Sequence, residues 1–129
     1  MSTWEPLELA TPDMDRLAEV FDLDDTDDTE LLAELLDAVL VDGQALLVKL
    51  FEAGRDPSTP EAMNSIKEIS HQLKSTLGNV GYSQASQLCA RIMEESGRGD
   101  AEACTVLVGE FEQGFDQLIQ GIRDFKDQL

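Results

Sequence analysis

The sequence predicts an all-α fold: an antiparallel up-down four-helix bundle with a short additional N-terminal helix. Three observations predict it. Apolar residues recur at three- and four-residue steps through four stretches, roughly 29–53, 59–80, 82–96 and 101–127. Capping residues, Gly and Pro punctuate the joints and keep the connections short, which favours antiparallel neighbours. No βαβ alternation, internal repeat or extended low-complexity segment competes with this reading.

Taken in order, residues 1–12 hold Trp4, Pro6 and Pro12 without a clear period and read as a loose N-terminal arm. Asp13 to Leu23 reads as the short helix, started by Pro12 and Asp13, with Met14, Leu17, Ala18 and Phe21 on one face. Asp22 to Asp28, DLDDTDD, lacks the Gly and Glu that a calcium loop needs at its sixth and twelfth positions, where Asp27 and Ala33 stand. It reads as an acidic linker that puts negative charge at the next helix start, with Asp27 and Glu30 as a capping-box variant. The division expected is therefore 1–28 for arm, short helix and linker, and 29–129 for the bundle.

Thr29 to about Ala53 carries Leu32, Leu35, Leu36, Val39, Leu46, Leu47, Leu50 and Phe51 on its apolar side, and Gly54 to Pro57 ends it. Thr59 is an N-cap with Pro60 at the first helical position. Tyr82 to Ser96 turns Ala85, Leu88, Cys89 and Ile92 inward, and Gly97, Gly99 and Asp100 close it. From Cys104 the last helix repeats Val108, Phe111, Phe115, Leu118, Ile122 and Phe125, a seam suited to shallow helix packing inside the bundle.

The 129 residues suit one domain, and 42% hydrophobic residues with 5% aromatics suit one aliphatic core. No stretch approaches the ~20 apolar residues of a membrane span, and the N-terminus lacks a secretory pattern. A cytoplasmic monomer is expected. The formal net charge of −18 disfavours nucleic acid and anionic membrane as partners. Cys89 and Cys104 make no disulfide framework and read as buried small hydrophobes.

The stretch 59–81 carries the chain's one histidine, His71. At about 100° per residue, Ala62, Ile66, Ile69, Leu73, Leu77 and Val80 form an apolar stripe. His71 points the other way, among Asn64, Lys67, Glu68, Lys74, Ser75 and Gly78. A single histidine on a helix is ordinarily a solvated or satisfied side chain without further role. An exposed, mostly neutral imidazole, with an ordinary pKa of about 6.5, is also a good nucleophile near neutral pH. Lys67 and Lys74 make a basic spot beside it on an acidic body. No Gly-rich phosphate loop, Walker lysine or kinase signature is present, so the chain is expected to be no enzyme and to use no ATP.

His71, Leu73 and Lys74, then Gly81, then Leu88, Cys89 and Ile92 and the Arg98-Gly99-Asp100 turn resemble the histidine-containing phosphotransfer (HPt) domain. The motif core spans about residues 70–95. Ser75 stands where that family has Gly, and Met93 where it often has Glu or Gln; Glu94 is one residue late. The resemblance implies a phosphorelay intermediate. His71 would accept a phosphoryl group from a receiver-domain aspartate, or a hybrid sensor kinase, and pass it to a response-regulator aspartate. Lys74 would stabilise the phosphoryl charge, and Asn64, Lys67, Ser75 and Gly78 would complete the receiver docking face. It implies no bound cofactor or metal here, with Mg²⁺ in the partner receiver. Two alternatives compete: a docking protein of the same fold without phosphotransfer, and an unrelated interaction or metal-binding bundle, the latter poorly served by one histidine and no Glu-x-x-His pair.

Overall fold

The structure is a computed structural model and describes residues 4–129. Among these the fold is all-helical, as the periodicity predicts: α1 (Pro6–Leu9), α2 (Met14–Val20), α3 (Thr26–Ala38), a π-helical turn (Val39–Gly43), α4 (Gln44–Arg55), α5 (Pro60–Gly78), α6 (Ser83–Gly97), α7 (Ala101–Gln113) and α8 (Phe115–Gln128). The most extensive contact is α5 on α6. Helix α4 also packs on α5, and α7 packs on both α6 and α4, while α8 meets α3, α1 and α7. Leu32, Leu36, Leu47, Leu50, Ile66, Leu73, Leu77, Leu88, Ile92 and Phe111 are fully buried. The core is aliphatic apart from an edge-on cluster in which Phe51 meets Phe111 at 6.1 Å and Phe115 at 5.3 Å.

Five sequence expectations need correction. The arm is not loose where it is described. Pro6 to Leu9 make a single helical turn, Leu9 is fully buried and Trp4 packs against the core; residues 1–3 lie outside the described residues. The turn fits because the last helices offer glycines beneath it. A Cβ on Gly114 would lie 3.1 Å from Leu9 Cδ1, and one on Gly121 would lie 2.7 Å from the Ala10 carbonyl oxygen. On α2, Leu17 and Phe21 are buried, but Met14 and Ala18 face solvent. The helix is too short to bury a full stripe.

The acidic run is partly helix. Helix α3 begins at Thr26 rather than Thr29 because Asp25, not Asp27, is its N-cap. The Asp25 carboxylate accepts the Asp27 N–H at 2.9 Å, and Asp28 accepts the Asp22 N–H at 2.7 Å. The predicted 29–53 helix also contains the π turn, which buries Val39 and Gly43 and sets Gly43 against Thr76 of α5. Finally, the predicted 101–127 helix is two. At Gly114 the backbone N–H donates to Phe111 at 3.1 Å, and α8 restarts with Leu118 N–H to Gly114 at 2.9 Å.

The α5–α6 joint is a Schellman turn. Tyr82 N–H donates to the Leu77 carbonyl at 3.0 Å, Gly81 N–H to Gly78 at 3.1 Å, and Gly81 holds φ +84°. The N-terminal segment seats on it: Asp13 N–H donates to the Gly81 carbonyl at 2.7 Å, and a Cβ on Gly81 would fall 2.5 Å from Leu17 Cγ. The α6–α7 joint repeats the turn at Gly99, φ +74°, with nothing within 4 Å of a Cβ there. The pair separates two costs. Gly99→Ala is expected to lose about 1 kcal/mol from the left-handed backbone alone. Gly81→Ala is expected to lose roughly 3 kcal/mol, because overlap with Leu17 adds to it. Urea unfolding of both variants checks this; equal losses would mean that Leu17 does not press on the joint.

Candidate functional site

Helix α5 starts and stops where its sequence says. The Thr59 hydroxyl accepts the Ala62 N–H at 3.1 Å, Pro60 opens the first turn, and the Schellman turn closes it. Ile66, Ser70, Leu73 and Leu77 face inward and are buried. Ala62 and Ile69, placed on the same stripe by period, are half-buried at its edge. Asn64, Lys67, Glu68, His71, Gln72, Lys74 and Ser75 are exposed.

The exposed face is not uniform. His71 lies in a shallow hollow lined by Asn64, Lys67, Glu68, His71, Gln72 and Met93. Met93 comes from α6 and is half-buried beside the α5 face. Among the described residues no hydrogen-bond partner holds the imidazole. The Asn64 side-chain amide donates to Glu68 Oε1 at 3.2 Å. Neither Lys67 nor Lys74 takes part in an ion pair among the described residues.

Of the residues the sequence proposed for this face, the hollow brings together Asn64, Lys67 and His71. Lys74 and Ser75 are exposed one turn further along α5 and do not line it. Gly78 is half-buried at the crossing with α6. A Cβ there would lie 3.1 Å from Ser86 Oγ, whose hydroxyl donates to the Lys74 carbonyl at 2.8 Å. The missing side chain thus serves the close approach of α5 and α6. Gln72 was not singled out by the sequence reading, because it sits near the edge of the polar face on a helical wheel. Its signal is its adjacency to His71 and its polarity.

The acids near Met93 do not serve the imidazole. Glu94 pairs with Arg98 at 2.8 Å, and the buried Glu95 pairs with Arg98 at 3.2 Å and Arg91 at 3.5 Å. These bonds knit the end of α6. Burial pushes the Cys89 thiol well above its ordinary range. Burial, then Asp100 and Glu95, push Cys104 upward too, so both thiols stay protonated and poorly nucleophilic. Among the described residues no three His, Cys, Asp or Glu side chains gather to hold a metal ion, and no helix is long and apolar enough to cross a membrane.

Comparison with known proteins gives one match. The sequence model of the Hpt domain family matches residues 10–123, which encloses the hollow and both helices that form it. No curated protein and no solved structure matches the chain.

The thioether of Met93 is at most a weak acceptor for an imidazole N–H. Met93→Gln brings an amide to the same wall of the hollow. It is expected to shift the balance between the two neutral tautomers of His71 while leaving helical content unchanged. The ¹⁵N resonances of the ring report this without ambiguity, since the chain has one histidine. An unchanged tautomer balance would show that Met93 does not face the ring.

Proposed function

The chain belongs to the Hpt domain family, and on that premise we propose that His71 is its phosphoacceptor and that it relays a phosphoryl group between receiver domains. Hpt domains are phosphocarriers of phosphorelay signalling, and the family works with receiver domains of response regulators and with kinases. The observation that carries the finer reading is the position of His71: a lone imidazole on the exposed face of α5, between two lysines that make no ion pair among the described residues. A second protein can reach it without any rearrangement of the core.

In this reading an unprotonated imidazole nitrogen attacks the phosphorus of a receiver aspartyl phosphate. The N–P bond forms as the P–O bond breaks, and the electron pair leaves on the aspartate carboxylate. Transfer to the next receiver reverses those bonds. The chain supplies a placed nucleophile, the ammonium of Lys74 as counter-charge, and a docking face of Asn64, Lys67, Ser75 and Gly78. Receiver-bound Mg²⁺ supplies charge neutralisation on the partner's side, and no cofactor of the chain's own is needed. Donor and acceptor would be a hybrid sensor kinase and a response regulator. We place the protein in the cytoplasm as a monomer. Its body would be an up-down four-helix bundle over 26–129, made of α3–α4, α5, α6 and α7–α8, with α1, α2 and the acidic linker before it.

One observation favours a second reading. The imidazole is held by no hydrogen bond among the described residues, which suits a docking protein of the same fold that transfers nothing. Phosphorylation separates the two. Incubated with a phosphorylated receiver and Mg²⁺, the protein is expected to gain one acid-labile, base-stable phosphoryl group by intact mass. His71→Gln is expected to gain none and to keep its helical content by circular dichroism. Tight receiver binding without transfer to the wild type would favour the docking protein. Loss of helix in His71→Gln would contradict an exposed site.

A further inference from the structure

We propose that a phosphoryl group on His71 is seated in the hollow toward the N-terminal side of the residue, with Lys67 as a second cation and Gln72 as a neutral donor. The inference rests on His71 being the phosphoacceptor and adds the place where the group is held.

Three observations carry it. The first is direction. Every Cα–Cβ bond of an α-helix tilts toward the N-terminus, so a long side chain covers the turn before its own. The His71 ring therefore leans over the turn of Lys67 and Glu68, and those are the residues that share its hollow. Lys74, one turn on, leans back toward His71 from the other side and does not line the hollow.

The second observation is charge. Lys67 has Met63, Asn64, Ser70 and His71 at its i±3 and i±4 positions, so no acid stands one turn away from it on its helix. It makes no ion pair among the described residues, in a chain with 27 acidic and 9 basic side chains other than histidine. An ammonium left unneutralised on so acidic a surface is placed to meet an anion. Glu68 is the one carboxylate lining the hollow, and its Oε1 is engaged by the Asn64 amide.

The third is the wall. Met93 closes the hollow from α6 with an apolar, half-buried side chain. It brings no charge to compete for Lys67, and it removes water from one side of the site, which strengthens an ammonium–phosphoryl contact. Gln72 extends the rim with an amide whose N–H groups can donate to a phosphoryl oxygen.

Phosphoramidate, a small donor that needs no docking face, tests the seat by itself. The His71 nitrogen forms the N–P bond while the P–N bond of the donor breaks, its electron pair leaving on ammonia. With the full chain, Lys67→Ala is expected to slow phosphorylation by about three- to tenfold, the size of one partly exposed charge-assisted contact. It is also expected to move the ³¹P resonance of the phosphohistidine. Lys67→Arg should restore both, and Gln72→Ala should move the resonance with a smaller change in rate. Circular dichroism checks that each variant is folded. A Lys67→Ala protein that matches wild type in rate and ³¹P shift overturns the inference, as does loss confined to Lys74→Ala. Wild-type protein that stays unphosphorylated both in phosphoramidate and with a phosphorylated receiver and Mg²⁺ overturns the phosphoacceptor reading itself, and this inference with it; if only the receiver phosphorylates it, the same ³¹P comparison is made on the receiver-phosphorylated variants.

Discussion

The contact between α5 and α6 is the constraint on which the rest of the structure depends. Ile66, Leu73 and Leu77 of α5 are fully buried, as are Leu88, Cys89 and Ile92 of α6. Each of the larger apolar side chains contributes about 1.5–3 kcal/mol by burial. An exposed ion pair such as Arg55–Glu112 contributes about 0–1 kcal/mol. The apolar face therefore decides how α5 is rotated, and the polar face follows from it. Ser86 tightens the same seam by donating to the Lys74 carbonyl, opposite the bare backbone of Gly78. His71 is exposed because the opposite side of its helix is committed to the core.

The N-terminal segment completes this arrangement rather than decorating it. Leu17 fills the space above Gly81, and Asp13 N–H caps the carbonyl of that same residue. Leu9 and the Ala10 carbonyl rest on Gly114 and Gly121 of the last helices. One short stretch thus ties the end of the His71 helix to α8. Met93 arrives at the imidazole from α6 by the same logic, since a rigid α5–α6 pair fixes which α6 residue stands beside the hollow.

What was legible in the sequence follows from what periodicity can report. The α5 stripe and the outward imidazole were legible because a 19-residue helix repeats its pattern over several turns. The turn at Pro6–Leu9 was not, because four residues hold no period; it is seated by packing on α6 and α8 that lies far off in the sequence. The break at Gly114 was hidden because apolar spacing continues through it from Phe111 to Leu118. The π turn at Val39–Gly43 was hidden for a related reason, since the apolar pattern resumes in α4. At the site, a helical wheel treats the residues before and after His71 alike. It omits the tilt of the side chains along the axis, so it does not tell which of them share the hollow, and Gln72, about 100° from His71, falls at the edge of the polar face. The match to the Hpt family over residues 10–123 agrees with the motif that the spacing of His71, Lys74, Gly81, Leu88 and Cys89 suggested.

The account stands on one claim: a partner meets this protein on the polar face of α5, where the core leaves His71 free. Titration of ¹⁵N-labelled protein with a receiver domain held in its phosphorylated-like state by beryllofluoride and Mg²⁺ tests it most directly. The account predicts amide shifts concentrated at 64–78 and around Met93, with the far surfaces of α7 and α8 unmoved. Shifts concentrated on α7 and α8, with His71 and its neighbours unmoved, would contradict it.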